Sequence, residues 1–131
     1  MFSNLVSRYE SAGEILVEFT ERLMSVLTDK NDGLVRASAK CLAALSEKIE
    51  KSRIRISKCD KNFGTIEKLL RHEVEEARGN GALIVSNCAN LIETEPIRLI
   101  GPLLDIVDTS KSQFVRKNAA IAIGYIILNY F

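Results

Sequence analysis

Few side chains in this sequence are suited to chemistry. His72 is the only histidine, and with Glu73 it sets an imidazole beside a carboxylate, the start of a metal or acid–base site. One imidazole cannot complete such a centre. No serine stands in a nucleophile-elbow motif, no second histidine is present to activate a cysteine, and no carboxylates pair. The three cysteines, Cys41, Cys59 and Cys88, form no Cys-x-x-Cys, which argues against a closed zinc site and against a disulfide framework. A reducing compartment, cytoplasmic or nuclear, follows. Cys41 and Cys88 lie in apolar runs and read as buried, inert thiols, whereas Cys59 has charged neighbours and reads as exposed. Gly79-Asn80-Gly81 has the Gly-x-Gly form of a phosphate loop without a preceding strand, so it reads as a close helix contact or a broken first turn. The expectation is a protein without catalysis, metal or cofactor.

Charge offers one local feature. The 131 residues carry a net charge of +1, which provides no global field for nucleic acid, anionic membrane or acidic substrate. Within residues 51–61, however, Lys51, Arg53, Arg55, Lys58 and Lys61 face a single acid, Asp60. This tract could meet a phosphate, nucleic acid or acidic peptide, although no aromatic residue interleaves until Phe63. Its alternating Ile54 and Ile56 sit in a polar stretch that reads as a long solvated connection rather than a helix.

The elements that would position these groups are helical. A composition of 47% hydrophobic and 27% charged residues suits one soluble domain with a real core. Met1-Phe2-Ser3-Asn4 does not open a secretory signal, and the longest apolar tract, 119–131, is too short to span a bilayer, so no membrane partner is expected. Glu14 to Leu27 places Ile15, Leu16, Phe19, Leu23, Val26 and Leu27 at helical spacing; Asp32 could cap a second helix over 34–49. A short helix starts at Gly64, a longer one covers 75–92, Thr94-Glu95-Pro96 restarts the chain, and Ser112 opens the last helix.

One phrase recurs across these elements: Val35-Arg36-Ala37-Ser38-Ala39, Ala77-Arg78-Gly79-Asn80-Gly81 and Val115-Arg116-Lys117-Asn118-Ala119. Its arginines are 42 and 38 residues apart, a spacing typical of stacked helical repeats. Paired aliphatics precede each phrase, at Val26-Leu27, Leu69-Leu70 and Ile106-Val107. A cation at a helix N-terminus needs a partner, so each arginine is expected to reach an acid or carbonyl of the adjacent unit. The fold class expected is all-α: a right-handed α-solenoid of about three repeats, approximately 1–50, 51–93 and 94–131, in one domain over 1–131. The apolar tract reaching the last residue suggests part of a larger solenoid, or self-association through the C-terminal helix.

The pattern resembles armadillo repeats, with HEAT repeats as the close alternative. The resemblance rests on Asn118-Ala119-Ala120-Ile121-Ala122-Ile123-Gly124-Tyr125 and Asn80-Gly81-Ala82-Leu83-Ile84-Val85-Ser86-Asn87, with a looser copy at Ser38-Ala39-Lys40-Cys41-Leu42-Ala43-Ala44-Leu45. It implies a concave groove lined by the long helices. The family's tryptophan positions fall on Cys41, Leu83 and Ile121, and its asparagine positions on Leu45, Asn87 and Tyr125. With no tryptophan and only Asn87 matching, Leu45, Leu83, Ile121 and Tyr125 imply an apolar or helical ligand, unless they pack against a neighbouring repeat. A HEAT-repeat family of di-iron hydroxylases uses several His-Glu pairs, whereas this chain has only His72-Glu73. The resemblance thus implies a protein–protein scaffold, with nucleic-acid or phosphate binding through the basic tract as the alternative.

Overall fold

The computed structural model describes residues 2–93 and 95–131, with side-chain surroundings from residue 12 onward. Met1 and Thr94 lie outside the described residues. These residues form seven α-helices: α1 (Phe2–Ser25), α2 (Asp32–Lys48), α3 (Glu50–Cys59), α4 (Gly64–Leu70), α5 (Glu75–Cys88), α6 (Ile100–Thr109) and α7 (Gln113–Tyr130). Short 3-10 turns, Ala89–Leu91 and Pro96–Leu99, join α5 to α6, and no strand occurs among the described residues.

The three arginine phrases begin α2, α5 and α7, and these helices form the spine. α5 packs between α2 and α7; α4 lies against α5, α6 against α7, and α1 against α2 and α3. Counted from each phrase, the same positions turn inward. Val35, Ala77 and Val115 are buried, as are Ala39, Gly81 and Ala119 four residues later, and Leu42, Ile84 and Ala122 seven residues later. Residues of types that shed little side-chain entropy and fit a close helix contact occupy the second of these rows. Gly79 is needed for the tightest approach: a Cβ there would meet Val115 Cγ2 at 2.8 Å, too close for any side chain. Gly79 and Gly81 are therefore packing glycines inside an intact helix, and α5 begins at Glu75 without a break at either.

Helix starts follow local capping chemistry. Asn31, rather than Asp32, caps α2, because its Oδ1 accepts the Leu34 N–H at 3.1 Å; Asp32 sits in the first turn, where its charge opposes the positive end of the helix dipole. Ser112 caps α7 as expected, accepting the Val115 N–H at 3.3 Å. Asp60 accepts the N–H groups of Thr65 and Ile66 at 3.1 and 3.0 Å and so opens α4. The helix expected to run to Ile92 stops at Cys88 and tightens into the 3-10 turn.

Two further expectations are corrected. The tract 51–61 is largely helix, not a connection, because Ser52 and Ile56, four apart and fully buried, face the core while Ile54 turns outward. Ser52 is affordable inside because its hydroxyl is hydrogen-bonded to Thr20 Oγ1 at 3.0 Å across the α1–α3 contact. On α1, Ile15 and Phe19 are 64% and 42% exposed, so the inward face is rotated from the expected stripe. Thr20 takes the buried place, its hydroxyl 2.6 Å from the Leu16 carbonyl. No helix among the described residues is long and apolar enough to cross a membrane.

Candidate functional site

Helical spacing places Glu76, Leu83 and Asn87 on the side of α5 opposite Gly81, whose Cβ position looks into Leu69 and Leu70 of α4. The corresponding positions are Leu34, Cys41 and Leu45 on α2 and Phe114, Ile121 and Tyr125 on α7. These nine residues define one face crossing the three long helices, the face to which Leu45, Leu83, Asn87, Ile121 and Tyr125 had been assigned. Leu45, Leu83 and Asn87 are half-buried there, while Ile121 and Tyr125 are exposed.

A cavity of about 560 Å³ opens on this face, shared by all three helices. Leu83 lines it, with Lys40 of α2, Glu76 and Asn80 of α5, and Phe114 of α7. Phe114 is 65% exposed, a large apolar ring held at the rim without a covering neighbour. Asn80, half-buried, makes no intramolecular hydrogen bond through its side chain among the described residues. Leu45, Asn87, Ile121 and Tyr125 do not line the cavity. Sequence reasoning missed Phe114, although it stands two residues before Arg116, as Leu34 and Glu76 stand before Arg36 and Arg78.

The floor of the cavity is fixed by Glu75. Its Oε1 accepts the Ser110 hydroxyl and the Ser112 N–H, both at 2.6 Å, tying α5 to the start of α7. Those two hydrogen bonds, the Ser110 one foremost, hold the Glu75 carboxyl below its ordinary range. Asn87 is occupied as well, donating to Ser46 Oγ at 3.0 Å and to the Ala43 carbonyl at 3.4 Å across the α2–α5 contact. Its amide is part of the helix packing that shapes this face.

Two of the three recurrent arginines bond to carbonyls just upstream of their own helices. Arg78 Nη1 donates to the carbonyls of His72 and Glu73 at 2.8 and 3.1 Å, and Arg116 Nε to that of Val107 at 2.8 Å. Only Arg36 reaches the next long helix, 3.8 Å from Glu76, in an exposed pair worth little. His72 is structural: Nδ1 accepts the Val74 N–H at 3.0 Å, and Nε2 lies 3.6 Å from Asp32 Oδ1. No three His, Cys, Asp or Glu side chains converge among the described residues.

The basic tract is divided by its helix. Arg53 Nη1 donates to the Ser46 carbonyl at 2.9 Å and the Glu47 carbonyl at 3.3 Å, closing the end of α2, and Arg55 pairs with Glu21 of α1. Lys51, Lys58 and Lys61 remain exposed, and Lys58 and Lys61 border a shallow depression with Lys68. Among the thiols, Cys59 is exposed, Cys41 is half-buried rather than buried, and Cys88 is buried, its pKa pushed up to about 12 by desolvation. Compared with known proteins, the chain matches no family model and no curated protein.

Proposed function

We propose that this chain is a non-catalytic, protein-binding scaffold: a right-handed, armadillo- or HEAT-like solenoid of about three repeats that receives a peptide or helix on the open face of α2, α5 and α7. The observation that carries this reading is the cavity bordered at once by α2, α5 and α7, with Phe114 and Leu83 offering apolar surface and Asn80 an unused amide. Recognition is passive. A face built on packed helices is ordered before the ligand arrives, so little of the binding energy is spent on arranging it. The ligand chemistry that fits is an apolar side chain placed beside Phe114, with backbone polar groups within reach of Asn80. Three free thiols suit a reducing compartment, cytoplasm or nucleus.

Panning a random peptide library on the immobilised chain tests this directly. Selected peptides should share an apolar anchor, and Phe114→Ala or Leu83→Glu should weaken their binding at least about tenfold, the cost of losing one buried anchor. Peptides that bind both variants as well as the parent would refute the groove. The second reading, phosphate or nucleic-acid binding, draws on exposed Lys58, Lys61 and Lys68 around one depression. It requires steeply salt-dependent retention on a polyanion, lost on changing Lys58 and Lys61 to Glu. Arg53 and Arg55 are unsuited to that test, since both hold helices together.

A further inference from the structure

We propose that two copies of the chain associate through α7, packed antiparallel about a twofold axis at Gly124. By helical spacing, Lys117, Ala120, Gly124, Leu128 and Phe131 lie on the side of α7 turned away from Val115, Ala119, Ala122 and Ile126, which enter the core. Ile121 and Ile127 flank this strip. It is open: Leu128 and Phe131 are 79% and 75% exposed, and a Cβ at Gly124 would meet nothing within 4 Å. One helix back, Gly79 of α5 lets α7 approach closely; Gly124 provides the same room on the outer side of α7.

The strip is complementary to itself in one orientation. An antiparallel pair centred on Gly124 sets Ala120 against the partner subunit's Leu128, a small residue opposite a large one, and Ile121 against the partner subunit's Ile127. Lys117 then meets the partner subunit's Phe131, so its stem lies over a ring and its ammonium stays in water. A parallel pair would instead oppose the two Lys117 charges. The apolar side chains amount to on the order of 500 Å² per copy, a patch larger than scattered surface residues explain. Pairing buries on the order of 1,000 Å² in total, the lower limit for a specific interface, so the dimer is a weak one.

Sedimentation velocity of the full chain from about 10 to about 300 µM tests the proposal, since a dissociation constant on the order of tens of micromolar falls in that window. The sedimentation coefficient should rise from monomer to dimer and stop there. Gly124→Leu occupies space that is empty in the single chain and gains helix propensity, so it should keep the helical circular dichroism and leave melting unchanged or raised while abolishing the dimer. Leu128→Lys should do the same, and Tyr125→Ala, which lies off the strip, should not. A monomer across the whole range, a dimer indifferent to Gly124→Leu and Leu128→Lys, or growth beyond two copies would each overturn it.

Discussion

At the residue scale, the polar groups with the best-defined partners tie helices to one another. Glu75 is an example with a pH consequence. Its pKa is lower folded than unfolded, so its contribution to stability is complete above the ordinary carboxylate value of 4.5, begins to fall as the pH drops past it, and is gone below the folded value. Acid titration of Glu75→Gln against the parent should therefore show a stability gap at pH 7 that closes at low pH; a constant gap would contradict the two hydrogen bonds from Ser110 and Ser112. Thiol chemistry should be equally divided. A neutral disulfide reagent should label Cys59 within the mixing time and leave Cys88 untouched until the chain unfolds, because burial keeps that thiol protonated. Fast modification of two thiols with one slow should appear if half-buried Cys41 is reached from the open face.

At the element scale, close helix contacts decide stability. Gly79→Ala gains helix propensity but drives a methyl into Val115, and the two effects of about 1 and 1–3 kcal/mol leave a net cost of about 1 kcal/mol. Thermal melting should fall by about 4 °C, whereas a raised melting temperature would mean that α7 does not lie where the structure puts it. Tyr130→Phe should cost about 1 kcal/mol, because the hydroxyl that donates to the Ala89 or Ile92 carbonyl, 2.7 and 2.5 Å away, is lost. The same contacts explain what was legible in the sequence. Ala39, Gly81 and Ala119 recur because small residues suit the fully buried side of each long helix, as at Gly81, which meets Leu69 and Leu70 of α4, and a regular spacing of such positions is visible in one dimension. α3 was not legible, since its inward face is one isoleucine and one serine, and that serine is satisfied by Thr20, 32 residues away. Nor was the direction of the arginines, whose carbonyl partners depend on how each turn closes. Of the residues assigned to the groove from the phrase, only Leu83 lines the cavity; Phe114 was not legible, because the corresponding positions hold Leu34 and Glu76, so no shared residue type marks it.

At the scale of the whole molecule, α5 is covered by helices on two sides and from below by α4, whereas among the described residues α1 packs chiefly on α2 and α3, and α7 chiefly on α5 and α6. Amide exchange should accordingly be slowest around Ile84 and Val85 and faster toward both ends. Protection that peaked in α1 or α7 would contradict that order. The central claim, that the face shared by α2, α5 and α7 is where a partner binds, is tested most directly by amide chemical-shift mapping with a library-selected peptide. The account predicts shifts concentrated on Lys40, Asn80, Leu83, Phe114 and their immediate neighbours, with α3 unaffected; shifts centred instead on Lys51, Lys58 and Lys61 would contradict it.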